Sequence, residues 1–552
     1  MIHFNKQRGI RMFVQNNTTK RTFKFNKANT RIIIAFFHIN ILFWGFFIML
    51  NSFFLVSNLS PVSASLFPRQ EVGFIGEAEQ DKAGMSLSDV GDVNNDDYDD
   101  FIIGASSNDE GGVEAGQTYL ILGRPGNKWK EEYSLSESNA SFIGENGLDF
   151  SGWSVSGAGD VNSDGYNDFV IGAPGFYIGE AQLGQVYLIL GRPGDKWSMD
   201  TTLSLANASF IGEHEDLMVG SHVAGVGDVN NDGYDDFAIG GGNTTYVIFG
   251  KETNEWTMDV SLINADRFII AGSNVFGVGD VNNDNYHDLA IGIPSDDDGG
   301  VDAGQTFLFF GRATSEWDTW IFRNEADASF IGEVADDYSG LSVSRLGDVN
   351  SDDYDDLLIG APWNDEGGAI AGQTYLILGR ATNKWEFGAS LLDANASFIG
   401  EAASDESGWG ISGVDDVNND GLSDFVIGAF GNEDSAHYAG KTYLLLGKPT
   451  GQWIMDTSLS TADLSMVGEA FGDHLGIKVS GAKDVDNDGF DEFLVVAYFN
   501  DQGGVDAGKV YLILHPFYEC TTIIQTTPIS FTPILVVLCL VVQISNFKKR
   551  KS

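Results

Sequence analysis

Short apolar runs punctuate most of this chain, and they recur as a set. One complete set reads Trp153-Ser-Val-Ser-Gly-Ala-Gly159, Phe169-Val-Ile-Gly-Ala-Pro174, Gln185-Val-Tyr-Leu-Ile-Leu-Gly191 and Ala208-Ser-Phe-Ile-Gly-Glu213. The runs are rich in β-branched and aromatic residues and are bounded by Gly, Pro, Asn and Asp, which predicts four short strands per set. Tyr187-Leu-Ile-Leu190 is apolar without alternation, and a strand of that kind is buried on both faces. Four-stranded sheets that must be covered on both sides, repeated along a chain, predict an all-β, seven-bladed β-propeller in which each blade is packed between two others.

The period is set by a nine-residue polar stretch between the first and second runs, Asp160-Val-Asn-Ser-Asp-Gly-Tyr-Asn-Asp168. It recurs seven times, with starts separated by 68, 68, 52, 68, 68 and 68 residues, and a fixed period marks a repeat fold. Oxygen-bearing side chains stand at positions 1, 3, 5 and 9. A hard cation takes six to eight oxygens, and alternate residues of a tight loop can face inward together. The candidate calcium ligands are therefore Asp92, Asn94, Asp96 and Asp100 in the first copy, and Asp160, Asn162, Asp164 and Asp168 in the second. The third and fourth copies supply Asp228, Asn230, Asp232, Asp236, Asp280, Asn282, Asp284 and Asp288. The fifth and sixth supply Asp348, Asn350, Asp352, Asp356, Asp416, Asn418, Asp420 and Asp424, and the seventh Asp484, Asp486, Asp488 and Glu492. Position 6 reads Asp97, Gly165, Gly233, Asn285, Asp353, Gly421 and Gly489, residues that tolerate the left-handed turn such a loop needs. Up to seven Ca2+ ions are expected.

Charge sharpens this picture. The net charge is −48, but residues 1–64 hold eight Lys or Arg and no acid, and residues 521–552 hold four and no acid. The remaining 19 basic residues face 79 acidic ones, a net of −60. Such a surface repels nucleic acid and anionic lipid. The chain divides into residues 1–64, a basic flank followed by an apolar stretch from Ile32 to about Val56, then repeats over 71–517, then 518–552 as stalk, anchor and basic tail. The first apolar stretch suits either a cleaved signal or an N-terminal anchor. The last, from about Ile523 to Ile544 and followed by Lys548-Lys-Arg-Lys551, suits a membrane anchor with its positive end in the cytoplasm. These ends place the repeats at the cell surface. Cys539 lies inside the last apolar segment and Cys520 just before it, so an internal disulfide is implausible by geometry, and Cys520 reads as a free thiol or an interchain link. Asn139, Asn207, Asn243 and Asn395 lie in sequons, acceptors for glycans in an exported protein.

The run Ser154-Val-Ser-Gly-Ala-Gly-Asp160, the acidic loop and Gly172-Ala-Pro174 together resemble the FG-GAP repeat of integrin α-chain propellers; Gly360-Ala-Pro362 repeats the ending, and Gly104-Ala-Ser106, Gly292-Ile-Pro294 and Gly428-Ala-Phe430 are looser copies. The resemblance implies calcium at the matched loop positions and recognition at the cell surface, in adhesion or ligand binding. Integrin α-chains keep intact metal loops in only some blades, whereas here all seven are intact. Similar repeats occur in prokaryotic surface proteins and beside a phospholipase domain; no stretch of this sequence reads as that domain.

The short interval marks a notch. Two connections opposite the acidic loops are shortened, near Gly240-Gly-Gly-Asn-Thr-Thr-Tyr246 and between Phe268 and Phe276, both beside the junction of blades 3 and 4. The stretch 214–222 adds two histidines, His214 and His222, as a transition-metal pair or as solvated loop residues. The once-per-repeat Trp129, Trp197, Trp256, Trp317, Trp385 and Trp453 read as packing anchors. No nucleophile elbow, zinc-protease or nucleotide-binding motif is present, so the expectation is a binding protein for an extracellular protein or glycan and not an enzyme. The alternatives are a surface hydrolase working at the notch and a structural coat component. The segment Val72–Glu77 copies the fourth strand and stands ahead of the first loop, so it is expected to complete blade 7 and close the ring, which would remove an open sheet edge.

Overall fold

The computed structural model describes residues 11–16, 19–24 and 70–514, except 180 and 216. The two apolar segments and both cysteines lie outside the described residues. In the first of two compact units, Met1–Pro68, the strands Arg11–Asn16 and Thr19–Lys24 form an antiparallel pair. The second unit holds a seven-bladed β-propeller. Among the described residues no helix is long and apolar enough to cross a membrane.

Each blade is an antiparallel meander. In blade 2, Ser154–Gly159 pairs with Asp168–Ala173, which pairs with Gln185–Ile189, which pairs with Ala208–Ile211. The second and third strands are buried throughout in this blade, as non-alternating apolar runs require. The first strands are innermost and line the axis, and the fourth strands lie toward the outside. Between blades lie seven apolar clusters, each shared by two sheets.

The glycine one residue before the end of the second strand sets how closely blades approach. A Cβ on Gly172 would lie 2.1 Å from the Gly220 carbonyl of the next blade, and one on Gly428 would lie 1.8 Å from that of Gly476. Contacts that short are available to glycine alone, which gives this position of the repeat its physical reason. Blade 7 reverses the arrangement, with Val496 packed where a Cβ on Gly84 of blade 1 would lie.

Closure occurs as expected. Gln70–Ile75 pairs antiparallel with Lys509–Leu514, with Val72 opposite Leu512 and Phe74 opposite Val510. It is the fourth strand of blade 7. The sheets differ from expectation in having a fifth strand, two or three residues long and parallel to the fourth. Thr201–Thr202 runs beside Phe142–Ile143, and Glu132–Ser134 beside Gly73–Ile75. It comes from the connection between the third and fourth strands of the following blade. Only blade 6 has four strands among the described residues; the matching connection of blade 7 begins after Leu514 and lies outside them. The repeated tryptophans sit in this connection as packing anchors. Trp197 meets Phe142 of blade 1 edge-on at 6.2 Å and Trp453 meets Phe398 of blade 5 likewise, with Arg192 and Lys448 over their outer faces. Three of the sequon residues, Asn139, Asn207 and Asn395, accept backbone N–H bonds from Leu122, Leu190 and Leu378 at the end of the third strand. Asn243 instead occupies an exposed two-residue hairpin turn.

Candidate metal centre

The acidic loops join first and second strands, so all seven emerge at one end of the ring. Within a loop the position-1 carboxylate organises the backbone. Asp160 accepts N–H bonds from Asp164 at 3.0 Å and from Gly165 at 2.8 Å. Asp92, Asp228, Asp280, Asp348, Asp416 and Asp484 do the same for positions 5 and 6 of their own loops. Position 6 is left-handed in every copy, from φ 69° at Asp353 to 93° at Gly233. Position 4 is left-handed as well, at Asn95, Ser163, Asn231, Asn283, Ser351, Asn419 and Asn487, a feature the ligand spacing alone did not indicate.

Position 9 is the first residue of the second strand in six blades and directly precedes it in blade 6. There the side chain is wholly buried. Asp168 accepts from Val161 N–H at 3.0 Å and Gly191 N–H at 2.7 Å, which ties the loop to the end of the third strand. The same two bonds hold Asp100, Asp236, Asp288, Asp356 and Asp424; Glu492 keeps the one from Val485. Burial, with the other carboxylates of each loop adding to it, pushes these acids far above the usual range: Asp100, Asp168 and Asp356 to about 8, Asp236 to about 9, Asp424 to about 7 and Glu492 to about 10, with Asp288 also raised well up.

Position 3 completes the cradle. Asn94, Asn350 and Asn418 donate through Nδ2 to the position-9 carboxylate at 3.0–3.2 Å. The Oδ1 atoms of Asn162, Asn230 and Asn282 and the Oε1 atom of Glu492 are buried without a hydrogen-bond partner. In blade 7, where position 3 is an acid, ligand atoms of Asp484, Asp486 and Glu492 all lie within 4.8 Å of one another. Asp488 at position 5 is not part of that cluster, and among the described residues no other loop brings three of its carboxylates that close; the donors in every loop are all oxygen. Buried, unpartnered oxygens aimed into an oxygen-lined loop fit a hard cation.

Sequence reasoning missed the links between loops. Asp235, Asp355 and Asp491, at position 8, accept from the position-1 N–H groups of Asp160, Asp280 and Asp416 in the preceding blade, each at 2.9 Å. Asn487 Nδ2 donates to the Asp97 carbonyl across the seam between blades 7 and 1. The notch connections are short as read: Gly242–Asn243 turns between strands, and three residues separate Ile270 from Asn274. The histidine pair is not a pair of loop residues, because His222 opens the innermost strand of blade 3 and lines the axial cavity.

The FG-GAP repeat family matches residues 86–121, 151–189 and 340–377, covering the first three strands of blades 1, 2 and 5. The molecule is a seven-bladed propeller carrying FG-GAP repeats. It is 28% identical over 376 residues to phosphatidylinositol-glycan-specific phospholipase D of Bos taurus, a match covering 63% of this chain and 43% of that protein. It is 26% identical over 276 residues to integrin alpha-PS2 of Drosophila melanogaster, covering 49% of this chain and 18% of the relative. Integrin alpha-6 of Gallus gallus is 31% identical over 147 residues, 25% of this chain and 13% of the relative. The chain thus spans less than half the length of these relatives. One expectation is overturned. The lack of a catalytic motif had set the chain apart from enzymes, yet the similarity extends over 376 residues of a protein named as a phospholipase. Motif absence is a weak criterion here, because a propeller shared with an enzyme carries structural and metal-loop signatures and no reaction-specific ones.

Proposed function

We propose that the chain is a cell-surface, calcium-binding propeller that recognises an extracellular protein or glycan, anchored by its terminal apolar segments. The observation that carries the metal reading is the position-9 carboxylate. It is buried, held by two backbone N–H groups in six loops, and surrounded by acids of its own loop. A bound calcium would supply the charge that lets these acids ionise, and would fix the loops at one end of the ring. Asp, Asn and Glu oxygens at positions 1, 3, 5 and 9 would hold it. The similarity to integrin alpha chains supports the recognition role.

Extracellular calcium modules bind at about 0.1–1 mM. At one to ten times that constant each site adds roughly 0.4–1.4 kcal/mol, so seven would add roughly 3–10 kcal/mol, comparable to the ~5–15 kcal/mol of a typical domain. Chelation of the purified full chain should lower its melting temperature by many degrees, and Asp232→Ala should remove one equivalent of bound calcium while leaving the fold intact. A melting curve unmoved by chelator would end the metal reading. Capture of partners from intact-cell extracts with and without calcium tests recognition, and protease protection of tagged termini in intact cells tests the anchors.

A second reading is favoured by the 376-residue match: the propeller serves a hydrolase, with the blade 3/4 notch as its working face. Incubation of the full chain with a phosphatidylinositol-glycan-anchored reporter separates the two. Calcium-dependent release of the reporter supports the second reading, and retention alongside calcium-dependent capture supports the first.

A further inference from the structure

The axis of the ring encloses a cavity of about 590 Å3, lined by the first strands of all seven blades. That volume lies in the range of small-ligand sites. Three cations face it. Two stand toward the acidic-loop end and have aspartate partners: Lys483 lies 3.3 Å from Asp89, and Arg345 lies 3.2 Å from Asp355. Asp415 lines the same end. The third, Lys478, lies at the opposite end and has no acidic partner among the described residues.

Strand register places Lys478 and His222 in one layer. Lys478 precedes Val479, which pairs with Val495; His222 precedes Val223, which pairs with Ile239. The same position holds Ser86, Ser154 and Ser342 in blades 1, 2 and 5. Those hydroxyls donate to the carbonyls of Gly152, Gly220 and Gly408 in the next blade, at 2.6–2.8 Å. The layer is therefore polar, and the serines are committed to backbone. His222 Nδ1 is buried without a hydrogen-bond partner. Lys478 is in contact with solvent in the cavity, yet enclosed by the ring. Burial pushes its ammonium down, with no carboxylate countering it, and burial together with Lys478 pushes His222 down to about 4.

An ammonium held in the cavity without a counter-ion, in the same layer as an imidazole on a blade across the axis, suits an acceptor that carries negative charge. We propose that the axial cavity binds a small oxyanion, a sulfate or a carboxylate group, between Lys478 and His222. The acidic exterior repels extended polyanions, so the site selects small anions that enter along the axis. This site is separate from the acidic loops and does not depend on the calcium reading.

The test titrates the full chain, in calcium, with sodium sulfate and separately with sodium malonate by calorimetry. Saturable one-to-one binding of either at millimolar concentration is expected; sulfate alone would define an inorganic-ion site, and malonate alone a carboxylate site. Lys478→Met should weaken it about tenfold or more, as loss of a charge-assisted bond does, and Lys478→Arg should retain it. His222→Gln should weaken it by a smaller factor. Because Lys478→Met removes an unpaired enclosed charge, its melting temperature should hold or rise, which separates lost binding from misfolding. No saturable heat with either anion, or binding unchanged in Lys478→Met, would overturn the proposal.

Discussion

Replacing Phe74 with alanine tests the closure of the ring. Phe74 is only 3% exposed. Its ring stacks on Tyr133 at 5.4 Å and meets Phe101 and Trp129 edge-on at 5.4 and 6.2 Å. All three partners belong to blade 1, so this side chain joins the last blade to the first. Truncating a buried phenylalanine to alanine costs about 3–5 kcal/mol, and aromatic pairs add about 0.5–1.5 kcal/mol each within that total. Against a stability of ~5–15 kcal/mol this is a large fraction. The seam adds a second effect. In blades 1 to 6 the fourth strand is linked covalently to the third through the connection that carries the tryptophan, whereas Gln70–Ile75 meets Lys509–Leu514 by strand pairing. Phe74→Ala should therefore lower the urea midpoint of the full chain and also expose the segment before Ser86 to protease below the global transition. Phe210→Ala, at the equivalent place in blade 2, should show the first effect without the second. Phe471→Ala, where the ring is 73% exposed, should change stability by no more than about 0.5 kcal/mol and leave the midpoint nearly unmoved. If Phe74→Ala unfolded with the midpoint of Phe471→Ala, or were no more protease-sensitive than Phe210→Ala, the closure argument would fail.

The metal-free protein should be less stable at pH 8 than at pH 5.5. The position-9 acids have folded pKa values raised to about 7–10, so the folded state holds more protons than the unfolded one above about pH 4, and stability falls as pH rises toward those values; urea midpoints in chelator at the two pH values measure it, and a rise with pH would refute it. Gly428→Ala should destabilise by about 1–3 kcal/mol or more, because its Cβ would lie 1.8 Å from the Gly476 carbonyl. Gly421→Ala, at φ 85° with open space around it, should cost only about 1–2 kcal/mol for the left-handed backbone, and equal losses in thermal melts would contradict the close-approach argument. Trp385→Ala should cost about 3–5 kcal/mol, since the indole packs on Phe330 of the preceding blade and donates to the Arg380 carbonyl; a loss below about 1 kcal/mol in urea would remove its role as anchor.

The blades were legible because burial on both faces forces non-alternating apolar strands, and because Asp, Asn and Gly recur at fixed offsets between them. Closure was legible because one fourth-strand copy, Val72-Gly-Phe-Ile-Gly-Glu77, stood ahead of the first loop with no third strand before it. The fifth strands were not. Thr201–Thr202 and Val260–Ser261 are two residues long and half-buried, too short for any period to show. The left-handed position 4 was available in principle, since Asn occupies it in five copies and Ser in two, residues that accept that conformation or turn readily. Lys478 and His222 could not be paired from sequence. They stand 256 residues apart, and only the register of blades 3 and 7 puts them in one layer.

The links between loops bear on how the proposed calcium sites would behave together. Position 8 of one blade holds the position-1 N–H of the blade before it at three junctions. At three junctions position 4 donates to the position-6 carbonyl of the next loop: Asn283 to Asp353, Asn419 to Gly489, and Asn487 to Asp97. Position 1 is the residue that sets the backbone of its own loop, so a neighbour's side chain reaches the group on which ligand placement depends. Groups in one hydrogen-bond network are not energetically independent. The junctions are also unequal: blade 3 meets blade 4 through His287 against Gly227, where three others place aspartate against the matching position. A neutral imidazole can accept a hydrogen bond there but carries no negative charge to repel the neighbouring acids. Occupancy of the proposed sites would therefore depend on position in the ring as well as on the oxygens each loop supplies, and identical ligand sets in different blades need not bind alike.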